Sequence, residues 1–66
     1  VTTLKFAAPT AKYERLIPAL RIARDELALR GAHLAVWAYD GWWQVESDVP
    51  GVCEIVRDFV LGSLIV

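Results

Sequence analysis

Cysteine is nearly missing from this chain. Its 66 residues include one, Cys53, so no intramolecular disulfide can staple it. A disulfide-built secreted scaffold is therefore excluded, and a reducing cytoplasm is the expected compartment. Histidine is as scarce, with His33 alone. No second His, Cys or carboxylate stands at ligand spacing from it, so neither a metal centre nor a histidine-based catalytic site is expected. Methionine is absent, and the four glycines are scattered singly, which leaves no phosphate-cradling loop. Long apolar runs are lacking too. The longest uncharged apolar stretch, residues 59–66, is far short of the ~20 residues a membrane span needs. The first residues show no basic region followed by an apolar run, so no secretion signal is expected. An excess of one charge is also lacking. The net charge of −1 creates no overall field favouring nucleic acid or an anionic membrane.

What is present is apolar. Hydrophobic residues make up 56% of the sequence, which is high for a chain expected to form one domain over residues 1–66. A domain of this size buries only about 60% of its unfolded surface. Some of that apolar surface must stay outside or be covered by another chain. Charge is unevenly placed: residues 1–30 carry six bases and three acids, residues 31–66 one base and five acids. No repeat or low-complexity tract interrupts the chain.

Residues 33–47, His-Leu-Ala-Val-Trp-Ala-Tyr-Asp-Gly-Trp-Trp-Gln-Val-Glu-Ser, hold four of the seven aromatic side chains. Asp40-Gly41 divides two runs rich in Val, Trp and Tyr. A two-residue type I′ turn needs φ > 0 at both central positions, which Asp tolerates and Gly adopts freely. The predicted register sets Tyr39 opposite Trp42, Ala38 opposite Trp43, Trp37 opposite Gln44, Val36 opposite Val45 and Ala35 opposite Glu46. Side chains alternate across a strand, so Leu34, Val36, Ala38, Trp43 and Val45 share one wholly apolar face. Ala35, Trp37, Tyr39, Trp42, Gln44 and Glu46 share the other.

The flanking segments complete the pattern. Residues 1–7 alternate as a half-buried strand, with Leu4 and Phe6 inward. Thr10 is the expected N-cap of a helix over residues 11–30, whose apolar stripe contains Tyr13, Leu16, Ile17, Leu20, Ala23, Leu27 and Ala28. Pro18 is expected to kink or interrupt that helix, and Gly31 suits its left-handed C′ position. Arg21/Asp25 and Glu26/Arg30 stand at i,i+4 spacing. Arg24 falls inside the stripe, where its head could snorkel out or meet Glu54; Ile22 and Leu29 lie opposite, exposed. Asp48 is the expected N-cap of a second helix, with Pro50 in its first turn. Val52, Cys53, Ile55, Val56, Phe59 and Val60 form its apolar face. Gly62 is expected to end it, leaving residues 63–66 as a final strand or a frayed end.

The expected fold is α+β: a small two-layer sandwich in the order β-α-β-β-α, with a possible last β. That order resembles the ferredoxin-like split βαβ plan, in which both helices cover one sheet face; a three-stranded variant is the alternative. The resemblance lies in element order alone.

Catalytic chemistry is not expected. His33 lacks companions and reads as a strand-entry residue. Cys53, although near a helix start, reads as a small core hydrophobe. Of the neighbouring carboxylates Glu46, Asp48 and Glu54, Asp48 is expected to serve as a cap, and Glu46 and Glu54 lie on different elements. No cofactor is implied. Trp37, Tyr39 and Trp42 are the functional signal, since two helices can cover only one face of the sheet. Their side chains present ~450–750 Å², against about 300–600 Å² for the largest apolar patch of a typical monomer. The expected function is therefore that of a non-catalytic protein-binding or self-associating module of regulator or inhibitor type. Its contact surface is Trp37, Tyr39 and Trp42 with a rim of Gln44, Glu46 and Lys5, and its simplest partner is a second copy. The alternative is single-stranded nucleic-acid binding, because an aromatic sheet face resembles the RNA-recognition platform. The Lys/Arg-Gly-aromatic run of that family is absent, and Lys5 is the only base expected on the face, so nucleic acid ranks second.

Overall fold

A computed structural model describes residues 1–11 and 13–65, with side chains described through Ser63. The chain runs β1 (Thr2–Ala7), α1 (Tyr13–Leu29), β2 (Leu34–Tyr39), β3 (Trp42–Ser47) and α2 (Val52–Ile65). The three strands form one antiparallel sheet in the order β1-β3-β2. This is the three-stranded variant of the split βαβ plan. Residues 63–65 belong to α2, so they are not a fourth strand; Val66 lies outside the described residues.

The hairpin follows from its loop. Asp40 has φ 50° and Gly41 φ 83°, the two left-handed positions of a type I′ turn. Its register pairs Tyr39 with Trp42, Trp37 with Gln44 and Ala35 with Glu46, as the sequence pattern requires. β1 pairs with the other side of β3: Leu4 opposite Val45, Lys5 opposite Gln44, Phe6 opposite Trp43. Past the strand ends, the Ala8 N–H donates to Gly41 O at 3.0 Å and the Gly41 N–H donates to Thr10 Oγ1 at 3.3 Å. The hairpin tip is thus tied to the β1–α1 junction. The hydroxyl of Thr10, the expected N-cap, is engaged by the hairpin tip. Its carbonyl serves the helix, accepting from the Tyr13 N–H.

α1 runs unbroken through Pro18, so the expected interruption does not occur. The proline side chain is exposed and its missing N–H leaves one carbonyl of the first turn without its helical donor. The C-terminus is a Schellman motif. Gly31, at φ 74°, donates to Ala28 O, and Ala32 donates to Leu27 O at 2.9 Å. Among the described residues neither Arg21/Asp25 nor Glu26/Arg30 forms an ion pair; Asp25 pairs with its neighbour Arg24 at 3.3 Å, and both side chains are exposed. Arg24 therefore does not reach Glu54.

α2 starts later than expected. Pro50 and Gly51 occupy the centre of a turn closed by the Val52 N–H on Val49 O, with Gly51 at φ 85°. That is the type II signature of Pro followed by Gly. The Gly51 carbonyl accepts the first helical bond, from Ile55. Asp48 is not a cap. Its Oδ1 accepts the His33 N–H at 2.8 Å. Ser47 Oγ donates to the His33 carbonyl at 2.7 Å and accepts from the Val49 N–H at 3.1 Å. Fifteen residues away in sequence, the entry to β2 is clamped by the residues leaving β3. Gly62 does not end α2, which continues to Ile65.

Both helices cover one sheet face. The core consists of Leu16 and Leu20 of α1, Leu34, Trp43 and Val45 of the sheet, Cys53, Val56 and Val60 of α2, and Ala8. Trp43, 0% exposed, is its centre. Phe6 stacks on it at 6.1 Å between ring centroids, and Tyr13 meets it edge-on at 5.2 Å. Two of the six residues expected on the apolar face of α2 lie outside the core: Ile55 is 68% exposed and Phe59 is also exposed. Cys53, Val56 and Val60 provide the buried seam, with Val52 and Leu61 partly buried against it, because a narrow sheet receives only one stripe of each helix.

Candidate functional site

The side of the sheet turned away from the helices is the candidate site. The pairings place its residues in three rows across β1, β3 and β2: Ala7, Trp42, Tyr39; Lys5, Gln44, Trp37; Thr3, Glu46, Ala35. All six residues expected to form a contact surface therefore lie on one face. Trp37, Tyr39 and Trp42 are 45%, 50% and 52% exposed. Each ring buries about half its area on its neighbours and offers the rest to solvent. Lys5 is exposed at one edge, and Gln44 and Glu46 are half-buried on the central strand. Lys5 is the only lysine or arginine in the three strands.

His33 belongs to this face as well, although the sequence pattern did not include it. Its position continues the outward series of Ala35, Trp37 and Tyr39, and its Nε2 lies 3.4 Å from Glu46 Oε1. Odd-numbered parity from Tyr39 back to His33 was the available signal; reading His33 as a strand entry concealed it. The face is graded, with aromatics at the hairpin tip and the His33–Glu46 pair at the opposite end.

Cys53 is 1% exposed. Its Sγ lies 3.4 Å from Thr2 O and 3.6 Å from Val45 O, and its one proton can serve either carbonyl. Burial, with the Glu54 carboxylate adding to it, pushes the thiol above its ordinary value of 9.0. That is the reverse of what a nucleophilic cysteine needs. Glu46 lies on β3 and Glu54 on α2, while Asp48 lies in the loop between them and accepts the His33 N–H. Among the described residues no group of three or more His, Cys, Asp and Glu could hold a metal ion, and no helix is long and apolar enough to cross a membrane.

Comparison with protein-family models, with curated proteins and with solved structures finds no match for this chain.

Proposed function

We propose that the chain is a non-catalytic protein-binding module of regulator or inhibitor type that works through its open sheet face, most simply against a second copy of itself. The reading rests on one observation: two tryptophans and a tyrosine, each about half exposed, lie together on a face that no helix covers. Tyr and Trp are the favoured anchors of protein contacts. Lys5, Gln44 and Glu46 border them, and a polar border around an aromatic centre is the anatomy of an interface. Strands of six residues spaced ~4.8 Å apart give a face about 20 Å by 15 Å. That is small beside the ~800 Å² per partner of a standard interface, so the expected association is weak and readily reversed. Base stacking by single-stranded nucleic acid would use the same rings, but phosphates need several cations and the strands supply Lys5 alone.

Sedimentation of the wild type from micromolar to millimolar tests the reading. The expected result is concentration-dependent association that Trp37→Ser weakens by ~2 kcal/mol or more while leaving the monomer's melting midpoint nearly unchanged. A monomer at every concentration removes the homodimer. Micromolar binding of mixed single-stranded RNA or DNA at physiological salt, lost in Trp37→Ala, replaces the protein partner with nucleic acid.

A further inference from the structure

β2 is an edge strand, and beyond its buried first residue, Leu34, its free edge is only partly covered. Natural edge strands are blunted by charged side chains, proline, bulges or a covering element. Leu34–Tyr39 has the sequence Leu-Ala-Val-Trp-Ala-Tyr, without charge or proline, and pairs residue for residue with β3 along its length. In a two-residue hairpin the residues flanking the loop are a hydrogen-bonded pair, and such pairs alternate along the ladder. Tyr39, Trp37 and Ala35 therefore point their backbone groups at β3. The N–H and C=O groups of Leu34, Val36 and Ala38 point the other way, along the free edge.

A groove follows that edge. A hollow of about 180 Å³ is walled by Ile17, Arg21 and Arg24 of α1 and floored by Leu34 and Val36. A second hollow continues past Arg24 and Ala28 toward His33 and Ala35. No β3 residue lines either, and Ala35 faces the opposite side of the sheet, so the groove opens around the outer edge of β2. Its wall is cationic: Arg21 and Arg24 line it and no carboxylate does. Arg24 gives Nε and Nη2 to Asp25 at 3.4 and 3.3 Å, long contacts at an exposed pair, and a guanidinium has further donors.

From this juxtaposition we infer that the β2 edge and the α1 wall together bind an extended acidic segment of a partner protein, which adds as a fourth strand. Main-chain bonds to Val36 and Ala38, the two partly exposed residues of the three, supply affinity, as in other strand additions. Side chains of the added strand alternate. Those turned toward the helices meet Arg21 and Arg24 and carry carboxylates; those turned to the open face lie beside Trp37 and Tyr39 and are apolar. A second copy does not suit this edge. Since α1 lies beside β2, edge-to-edge pairing would set two α1 helices side by side and bring Arg21 and Arg24 of each copy against their counterparts. The inference is separate from the open-face contact proposed above and uses a different surface.

The test uses the full chain and two eight-residue capped peptides, one alternating Glu with Val and one alternating Lys with Val. Amide hydrogen exchange is followed by NMR. The expected result is that the Glu peptide slows exchange at Val36 and Ala38 while the Lys peptide does not. The double variant Arg21→Glu/Arg24→Glu, at two exposed positions, should weaken the Glu peptide by about tenfold or more, the effect of losing two partly exposed ion pairs, and should gain binding of the Lys peptide. Absence of protection by the Glu peptide overturns the inference. So does protection by both peptides alike that is unchanged in the double variant. Protection without peptide that grows with protein concentration also overturns it, by assigning the edge to a second copy. Trp37→Ser sedimentation is read independently, so failure of one surface is distinguishable from failure of the other.

Discussion

Single side chains with more than one partner hold this small fold together, and their partners are distant in sequence. Ser47 is 0% exposed and bonds both the His33 carbonyl and the Val49 N–H. Ser47→Ala leaves two backbone groups without a partner, at a cost of about 1–3 kcal/mol, to be measured as a lower denaturant midpoint at unchanged slope. Cys53 makes a pH-dependent contribution of definite sign. Its thiol is held above 9.0 chiefly by burial. Between the unfolded and folded values the folded chain keeps a proton that the unfolded chain has lost. This part of the stability is therefore intact below about pH 9 and is lost as pH rises through the folded value. Cys53→Ala should flatten that portion of the alkaline limb of the melting-midpoint profile. A limb of unchanged slope in the variant would assign the alkaline loss to other groups.

At the scale of elements, glycines give the sharpest predictions. Gly41 sits at φ 83°, so Gly41→Val should destabilise by about 1–3 kcal/mol through backbone strain; an unchanged denaturant melt would remove the turn. Gly62 is the opposite case. It lies inside α2, exposed, and an added Cβ meets nothing within 4 Å. Gly62→Ala should stabilise by about 1 kcal/mol, seen as a melting midpoint higher by about 4–8 °C. The same glycines mark the extent to which local sequence determines local structure here. Asp40-Gly41 and Gly31 were legible because their positive φ is a demand on the backbone that few residues meet. The α2 start was not. Asp48 and Pro50-Gly51 both signal a boundary, and the His33 amide, invisible at that distance in sequence, takes the Asp48 carboxylate. Gly62 reads as a stop, yet α2 runs through it to Ile65. The grouping of Trp37, Tyr39 and Trp42 was legible from strand alternation alone. The place of Lys5 beside Gln44 and of His33 beside Glu46 depended on pairings and side-chain reach that no local pattern encodes.

For the molecule as a whole, the order of strands in the sheet matters more than their number. The central strand, β3, takes β2 through a two-residue loop but takes β1 from the far end of the chain. A hairpin closes in about 1–10 μs, whereas bringing residues 2–7 to residues 42–47 must close a long loop against chain entropy. The first strand made is thus the last expected to dock and the first expected to leave. Thr2 of that strand covers Cys53, its carbonyl 3.4 Å from the sulfur. Alkylation of Cys53 by iodoacetamide under native conditions is therefore expected to be about 10²–10⁴-fold slower than in denaturant, the factor set by a small domain's few kcal/mol. Truncation of β1 should abolish that protection while leaving the Trp37–Gln44 pairing intact. A truncated chain whose thiol stays protected would show that α2 and β3 seal the sulfur alone. The lone cysteine, inert as a catalyst, is in this way a clock: the rate at which it is alkylated counts the departures of the N-terminal strand.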